Sequence, residues 1–462
     1  MNKRIVALLL ALMFAAGAAA QHAVPAPAAD ISSYPDGWRA YFIDEPVFNG
    51  RLYIVEAGVG NKQTVVLVHG LGDNGLNDWL NTIPALADHF HVVAFDLPGF
   101  GRSDSGSGLY SPSNYSRLIH WLAGRLAKGK VIAIGHSLGG AIVLRYAHDY
   151  QHEVEKLALV DAAGILQRTV FTKHLARLTR AYQARLGRVG AWLADITRRV
   201  DSLSERLLEA ADAVPDWSQI ILNNEMARGY LLKDHHMTHA AMALINEDFS
   251  KAISEVKVPT RIIWGGVDSV APLRTGILLA GRMPDATLTV MEGVNHVPMK
   301  QAPAAFNALL RGALVADQTG ERIRAPRPQA VNDDFACRGQ SGVRINGPYR
   351  RIDIQGCEQV MLQDVFARSL TVSASRVILE NVKIVARGTA LSARQSVIEG
   401  TLVRLLGALP LQATESRIDL AGSSLVSDTD RAMALEGSAV YFSVSDASTN
   451  GRSRYLHGIV AE

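Results

Sequence analysis

The stretch VIAIGHSLGG, residues 131–140, places a serine between two glycines where one local pattern ends and another begins. The residues VIAI before Gly135 are typical of a buried strand, and the following AIVLRYA (141–147) is typical of a helix. A strand that turns directly into a helix, with Ser137 at the turn, predicts a strained nucleophile turn. The alternative is an ordinary glycine-rich corner, and the rest of the sequence decides between the two.

Composition indicates a folded chain of more than one domain. The 462 residues are too many for one ordinary core, and 48% hydrophobic with 20% charged residues is typical of globular proteins. We therefore expect two or three domains. The net charge of +3 provides no strong basic field, and no nucleic-acid-binding motif is present, so the sequence predicts no nucleic-acid partner.

The N-terminal residues 1–20 have the pattern of a signal peptide. MNKR is positively charged, IVALLLALMFAAG is apolar, and AAA before Gln21 is a small-residue cleavage site. The alternative, an uncleaved anchor, is disfavoured because the apolar run is shorter than the roughly 20 residues that span a bilayer. The sequence therefore predicts export to the periplasm or the extracellular space.

The chain contains two cysteines, Cys337 and Cys357, both in its last third. In an oxidising, exported setting we expect them to form one disulfide that closes a loop of about twenty residues.

Short β-rich runs alternate with helical patterns over the first two thirds of the chain. The runs are RLYIVEAG, QTVVLVHG, FHVVAFDLPG, KVIAIGHS, KLALVDAAG, TRIIWGGVD and ATLTVMEG. This alternation predicts an α/β domain with a mostly parallel sheet and helices on both faces. Ligands of such sheets bind beyond the carboxyl ends of the strands. Six polar candidates follow strands: His69, Asp96, Ser137, Asp161, Asp268 and His296.

Residues 135–139, Gly-His-Ser-Leu-Gly, fit the G-x-S-x-G nucleophile turn in its strand-turn-helix context. Together with the motifs that accompany it, this stretch resembles the α/β-hydrolase superfamily over roughly residues 36–315. The accompanying motifs are HGLGDN (69–74), DLPGFGRSD (96–104), WGGVDSVAP (264–272) and GVNHVP (293–298). The resemblance implies an α/β-hydrolase fold.

The resemblance also implies a role for each residue of a catalytic triad. Ser137 is the expected nucleophile, His296 the general base and then acid, and Asp268 the carboxylate that orients the imidazole. Asp161 is the alternative acid, because it also follows a strand. We expect His69, His136 and Asp96 to shape loops rather than to react.

The family's oxyanion hole consists of two backbone N–H groups, which the resemblance assigns to Leu71 and Leu138. Nucleophile, base and oxyanion donors all come from the chain in this arrangement. We therefore expect no cofactor and no catalytic metal.

A helical cap is expected at about residues 165–255. Its apolar stripe consists of Leu175, Leu178, Tyr182, Leu186, Val189, Leu193, Ile196, Val200, Leu203 and Leu207. Its other face is basic, with Arg168, Lys173, Arg177, Arg180, Arg185, Arg188, Arg198 and Arg199. We weigh a solvated face over a packed stripe against a mobile lid that contacts anionic membrane surfaces. His235, His236 and His239 are expected at the cap surface or near substrate rather than on a metal.

The C-terminal part differs in pattern from the rest of the chain. Residues 316–334 are charged and contain proline, as in a linker. Residues 335–462 contain short β-rich runs at intervals of about twenty residues, which predicts a parallel β-helix, with a β-sandwich as the alternative. We align the rungs on Leu362, Leu379, Ile398 and Leu420, and expect no second active site because the acidic residues are scattered.

The sequence as a whole predicts an exported serine hydrolase that cleaves carboxylic esters, from a simple ester up to a lipid. A peptidase, a thioesterase, a C–C bond hydrolase or an acyltransferase on the same triad is the alternative. From another class, an envelope or glycan-binding protein with a scaffold hydrolase domain remains open. Contact with a membrane surface or a glycan is a further candidate interaction, and the oligomeric state is open.

Overall fold

The computed structural model describes residues 34–166, 222, 224, 236–317, 320–328, 331 and 333–462. An α/β domain comes first along the chain, and an all-β domain follows from Asp334. Helices and strands are numbered in chain order through these residues. Within them, no helix has both the length and the apolar character needed to cross a membrane.

The α/β domain is built on an eight-stranded sheet in the order β1-β2-β4-β3-β5-β6-β7-β8. The strands are β1 (Arg39–Glu45), β2 (Gly50–Ala57), β3 (Thr64–Val68), β4 (His91–Phe95), β5 (Val131–His136), β6 (Val154–Val160), β7 (Thr260–Gly265) and β8 (Ala286–Met291). Strands β3 to β8 pair in parallel, and β1 and β2 add an antiparallel edge. After β4 the chain crosses to the far side of β3 to form β5, so the carboxyl ends of β3 and β5 adjoin at a reversal of strand order.

Helices cover both faces of this sheet. They are α1 (Ile83–Ala87), α2 (Pro112–Leu126), α3 (Leu138–Asp149), α4 (His236–Ile245), α5 (Ser250–Glu255), α6 (Leu273–Arg282), α7 (Pro298–Gln301) and α8 (Pro303–Leu314). Alternate side chains of β3 enter different cores, with Val66 and Val68 in one and Val65 and Leu67 in the other. The predicted α/β-hydrolase fold is confirmed.

The structure describes only part of the predicted cap. The apolar stripe, the basic face and His235 lie outside the described residues. Helix α4 is described, and there His239 is buried and its ring stacks on Tyr110 at 4.6 Å between centroids. His236 Nε2 lies 3.0 Å from Ser105 Oγ. In the part of the chain that the structure describes, no group of three His, Cys, Asp or Glu side chains could hold a metal ion.

The C-terminal domain consists of strands that pair mostly in parallel. They are β9 (Asp334–Arg338), β10 (Arg344–Gln355), β11 (Val360–Ser373), β12 (Arg376–Glu380), β13 (Lys383–Val385), β14 (Thr389–Arg394), β15 (Val397–Thr401), β16 (Arg404–Leu406), β17 (Leu409–Thr414), β18 (Arg417–Ala421), β19 (Ser424–Ser427), β20 (Met433–Glu436), β21 (Ala439–Thr449) and β22 (Arg452–Ala461). The long β11 pairs in turn with β12, β13 and β14, which start three stacked faces. The antiparallel pair β21–β22 ends the stack. This arrangement is consistent with the predicted β-helix rather than with a β-sandwich.

The predicted alignment of the rungs is wrong at one position. Leu362 pairs with Leu379 as expected, but Leu379 pairs with Gly400, which in turn pairs with Leu420. Ile398 stacks two residues earlier in the rung, and its side chain also points inward. Because inward positions recur at every second residue of a strand, a shift of two residues keeps the apolar pattern and escapes notice in the sequence.

A ladder of serines inside one corner was not recognised in the sequence. The backbone N–H of Ser375 donates to Ser396 Oγ, that of Ser396 to Ser416 Oγ, and that of Ser416 to Ser438 Oγ, at 3.2, 3.1 and 2.9 Å. The ladder satisfies buried backbone donors from one rung to the next. The serines recur at the period of the rungs, so the signal was present in the sequence.

The predicted disulfide joins Cys337, in β9, to Cys357, just after β10. Both side chains are fully buried in the core of the C-terminal domain. The bond therefore ties together the first strands of the β-helix, where the stack has no earlier rung to pack against.

Removing the bond is expected to destabilise the C-terminal domain. A loop of 20 residues corresponds to about 3 kcal/mol of chain entropy, so Cys337→Ala/Cys357→Ala should lower the unfolding free energy by about that much. Urea denaturation of the full chain would measure the difference. Reduced wild-type protein should unfold like the double variant, and equal midpoints for the double variant and the oxidised wild type would contradict the expectation.

Candidate active site

Ser137 lies at the sharp turn between β5 and α3. Its φ of 53° and ψ of −117° put a residue with a side chain in a region that costs conformational energy. Four backbone hydrogen bonds hold it there. Its N–H donates to Val160 O at 3.0 Å, and its carbonyl accepts from Gly140, Ala163 and Ala141 at 3.0, 3.1 and 3.3 Å. The prediction of a strained turn, rather than an ordinary corner, is confirmed.

Both glycines of the G-x-S-x-G motif are required by close backbone approach. A Cβ at Gly135 would lie 2.1 Å from the carbonyl oxygen of Gly139, and one at Gly139 would lie 2.2 Å from that of Val68. Only glycine avoids these clashes. A Cβ at Gly70 would lie 2.9 Å from Ser137 Cβ, so the loop after β3 lies directly against the serine.

The structure brings the three predicted triad residues together. Ser137 Oγ lies 3.0 Å from His296 Nε2, and His296 Nδ1 lies 2.8 Å from Asp268 Oδ2. Because a carboxylate only accepts, Nδ1 carries the proton and Nε2 accepts from the serine hydroxyl. The Asp268 side chain is fully buried. This arrangement allows His296 to remove the serine proton while Asp268 stabilises the resulting imidazolium.

The other oxygen of Asp268 is held by its own loop. Oδ1 accepts from the N–H groups of Val270 and Ala271 at 2.7 and 2.9 Å. The side chain therefore has a fixed orientation before any substrate binds.

Asn295, next to the histidine, was missed in the sequence. Its Oδ1 accepts from the backbone N–H groups of Ser269 and His296 at 2.9 and 2.8 Å. The backbone N–H of Asn295 donates to Gln301 Oε1 at 2.7 Å. One side chain thus joins the loop of the acid to the loop of the base. The signal available in the sequence was its position between the last strand and His296.

His136 forms a hydrogen bond with the backbone of His296. Its Nε2 donates to the carbonyl oxygen of His296 at 2.6 Å. Burial, reinforced by the neighbouring imidazole, lowers the pKa of His136 to about 3, so this ring is neutral at physiological pH. It therefore orients the backbone of the base, in agreement with the loop-shaping role expected for it.

His69 orients the peptide that carries one expected oxyanion donor. Its Nδ1 donates to Gly70 O at 2.7 Å, and its Nε2 accepts from Leu97 N–H at 2.9 Å. Burial lowers the pKa of His69, in keeping with a neutral ring. Because a trans peptide directs its C=O and N–H to opposite sides, fixing Gly70 O also fixes the direction of Leu71 N–H.

The second expected donor, the N–H of Leu138, belongs to the first residue of α3. Backbone N–H groups in the first turn of a helix have no intrahelical partner. The turn that exposes the serine therefore also makes this donor available beside it.

Asp96 shapes the neighbouring loops, as expected. Its Oδ1 accepts from Leu76 N–H at 2.6 Å and its Oδ2 from Arg102 N–H at 2.9 Å. The carboxylate therefore connects the loop after β3 to the loop after β4.

Asp161, the alternative acid, follows β6 but does not contact the base. Its Oδ1 accepts from Gly265 N–H at 2.7 Å, and its Oδ2 has no hydrogen-bond partner within the described ranges. Burial, together with the Asp268 carboxylate beside it, raises the pKa of Asp161 well above its ordinary value. The buried group therefore favours its neutral form, and Asp268 is the carboxylate on His296.

Comparison with known proteins agrees with this fold. The chain belongs to the family of the α/β hydrolase fold, whose model matches residues 63–303, just over half of the chain. An uncharacterized protein of Mycobacterium tuberculosis is 29% identical over 276 residues, which cover 54% of this chain and 74% of that protein.

Two other similar proteins are named for an enzymatic activity. The 2-hydroxy-6-oxo-6-phenylhexa-2,4-dienoate hydrolase of Burkholderia cepacia is 27% identical over 274 residues, covering 56% of this chain and 90% of that enzyme. The solved structure of a thermophilic esterase from Thermogutta terrifontis is similar with a TM-score of 0.44 and 20% identity, covering 61% of this chain and all of that one.

Asp161→Asn is expected to stabilise the protein at high pH. A carboxyl with a raised pKa in the folded state loses stability as pH rises from its unfolded value, about 3.9, through its folded value. Asparagine cannot ionise, so the melting temperature of the variant should exceed that of wild type at pH 8, and the gap should shrink towards pH 4. Thermal melts across this range measure it. A gap that does not change with pH would mean that the carboxyl is already ionised in the folded protein.

Proposed function

We propose that this protein is a serine hydrolase that cleaves carboxylic esters through an acyl-enzyme on Ser137. The observation that carries the proposal is the continuous hydrogen-bond chain from Asp268 through His296 to Ser137, on a turn held in a strained conformation. We propose a small-molecule or lipid ester as the substrate. The leucine-rich stripe of the predicted cap supports an apolar acyl or alcohol portion.

In the first half of the reaction, His296 Nε2 accepts the hydroxyl proton as Ser137 Oγ attacks the ester carbonyl. Asp268 stabilises the imidazolium, and the N–H groups of Leu71 and Leu138 stabilise the oxyanion. The imidazolium then donates its proton to the departing alkoxide. An alcohol leaves, and the acyl group stays on the serine.

In the second half, His296 accepts a proton from water as the water attacks the acyl carbonyl. The tetrahedral intermediate collapses with the serine oxygen as leaving group, and the imidazolium returns the proton to it. A carboxylic acid is released and the free enzyme is restored. Transfer to an alcohol in place of water would make the same site an acyltransferase.

A second candidate is hydrolysis of a C–C bond, because relatives such as the Burkholderia cepacia enzyme are named for a dienoate substrate. A carbon leaving group must depart as a carbanion that the substrate itself stabilises, and that carbon must then receive a proton. Ester hydrolysis needs only a proton on oxygen, which His296 is placed to give. For this reason we put ester hydrolysis first.

Assays with p-nitrophenyl esters from acetate to palmitate should show hydrolysis by protein that starts at Gln21. Ser137→Ala is expected to lower kcat by about a millionfold, and Asp268→Asn by about ten thousandfold, because asparagine stabilises the wrong imidazole tautomer. Asp161→Asn, at the alternative acid, should lower kcat far less than Asp268→Asn, because Asp161 lies beside Asp268 and does not contact His296. The optimum chain length distinguishes a short-ester esterase from a lipase.

Two further results decide among the alternatives. Turnover of 2-hydroxy-6-oxo-6-phenylhexa-2,4-dienoate, with every ester left intact, would replace the ester proposal with C–C bond hydrolysis. Failure of a fluorophosphonate to label Ser137 in folded protein would favour a binding protein with a scaffold hydrolase domain.

We also propose that the protein is exported. The pattern of residues 1–20 and the disulfide between Cys337 and Cys357 support this. When the full sequence is expressed in a Gram-negative host, we expect mature protein that begins at Gln21 outside the cytoplasm. Leu9→Arg, which interrupts the apolar segment, should keep the protein uncleaved and cytoplasmic. Wild-type protein found uncleaved in the cytoplasm would contradict export.

A further inference from the structure

Helix α6 lies between the loop of the catalytic acid and the C-terminal domain. It begins at Leu273, directly after the loop that contains Asp268. Ala271 in that loop donates its N–H to Asp268, and its carbonyl accepts from Trp264 Nε1 at 2.9 Å. The first turn of α6 is therefore directly continuous with the loop that holds the acid.

The first turn of α6 is bound by the β-helix through Arg274. The guanidinium donates to both oxygens of Asp419, at 2.8 and 3.3 Å, to Gly400 O at 3.1 Å and to Thr401 Oγ1 at 3.2 Å. Glu399 adds a second carboxylate at 3.3 Å. These partners all belong to β15 and β18 of the C-terminal domain.

The Arg274–Asp419 pair is largely withdrawn from water. The Arg274 side chain is 11% exposed, and that of Asp419 is 20% exposed. Burial opposes the charge of the guanidinium, but Asp419 and Glu399 outweigh burial, and the pKa of Arg274 is raised. A partly buried, two-pronged arginine–carboxylate pair holds its geometry more firmly than an exposed ion pair.

Apolar packing between the β-helix and α6 adds to the polar contacts of Arg274 at the same interface. At equivalent positions of neighbouring rungs, Asp364, Asn381 and Gly422 have positive φ, which their residue types tolerate. Two further rungs have apolar residues there, Leu402 with φ of 56° and Val444 with φ of 49°. Both side chains are buried, and that of Leu402 packs against Gly281 of α6. A Cβ at Gly281 would lie 2.2 Å from Leu402 Cδ1. The rung accepts a strained leucine where that side chain enters the hydrolase core.

We propose that the C-terminal β-helix serves the active site, with Arg274 as a positioning residue that holds the start of α6 and thereby Asp268. The proposal rests on the proposed function for its catalytic consequence, since Asp268 matters for turnover only if the triad is used. Its structural part, the placement of Asp268 against His296, is independent of any substrate.

Arg274→Met in the full-length protein tests the proposal. It should lower kcat on p-nitrophenyl esters by about tenfold, with KM within about twofold, because a small displacement of a catalytic group slows the reaction more than it weakens binding. The downfield proton resonance of His296 Nδ1–H, which reports the hydrogen bond to Asp268, should shift or broaden. Arg274→Lys, which keeps the charge, should recover part of both effects.

Arg282→Met is the matched control. Arg282 is the last residue of α6 and makes the same kind of contact, to Asp446 at 2.7 Å and Ser424 at 3.2 Å, but at the end of the helix away from the acid loop. It should lower the melting temperature about as much as Arg274→Met, yet leave kcat and the His296 resonance unchanged. Arg274→Met/Glu399→Gln/Asp419→Asn leaves no unpaired buried charge, and supplies a folded variant if the single change does not fold.

Each result has a defined meaning. Wild-type kcat and an unchanged resonance in folded Arg274→Met, or in the triple variant, would overturn the proposal. Equal losses of kcat in Arg274→Met and Arg282→Met would assign the effect to stability alone and overturn it too. If the wild type hydrolyses no ester, the proposed function fails, while the His296 resonance still decides whether Arg274 positions Asp268.

Discussion

The close packing of the β5–α3 turn against the end of β3 is the constraint on which the rest of the site depends. The turn leaves no room for a Cβ at Gly135 or Gly139, and it forces Ser137 into a positive-φ conformation. That strain persists because hydrogen bonds to the chain after β6 hold the serine from the other side. As a result, the Ser137 hydroxyl, the first residue of α3 and the loop after β3 lie close together.

Around this turn, the loops of the site are connected by polar side chains that lie outside the Ser137–His296–Asp268 hydrogen-bond chain. Asn295 joins the acid loop to the base loop, His136 holds the carbonyl of His296, and His69 holds the peptide before Leu71. Burial lowers the pKa of both supporting histidines and favours their neutral rings. His69 then donates one hydrogen bond and accepts another, and His136 donates through Nε2. Such preorganisation is what a triad requires, because groups already in place need no rearrangement during reaction.

The β-helix packs against the hydrolase domain that contains these loops. Leu402, Ala421 and Val444 belong to the same apolar core as the hydrolase helices, so the two domains share buried surface. The connecting segment is held at both domains. Glu321 pairs with Leu288 on the edge of the hydrolase sheet at 2.7 and 2.8 Å, and the carbonyl of Arg324 accepts from Asn381 at 2.8 Å. Within the segment predicted as a linker, the described residues Glu321 and Arg324 thus contact the two folded domains.

The sequence by itself determined the features that depend on short-range conformation. The strand-turn-helix around Ser137, the alternation of strands and helices, and the twenty-residue period of the rungs all follow from residues that are neighbours in the chain. The disulfide was also predictable, because the chain has only two cysteines. Only the tertiary structure decided which carboxylate contacts His296. Asp161 and Asp268 follow the neighbouring strands β6 and β7, and reach the same edge of the sheet.

The register of the β-helix and the contacts of Arg274 were likewise decided by the tertiary structure. Ile398 and Gly400 both occupy inward-facing positions of β15, so the apolar pattern alone does not show which of them aligns with Leu379 and Leu420. The rung-to-rung hydrogen bonding does. Arg274 lies 145 residues from Asp419 in the chain, and nothing local relates the two. Local sequence restricts the backbone of each segment, but distances between side chains on different segments depend on how the whole chain packs.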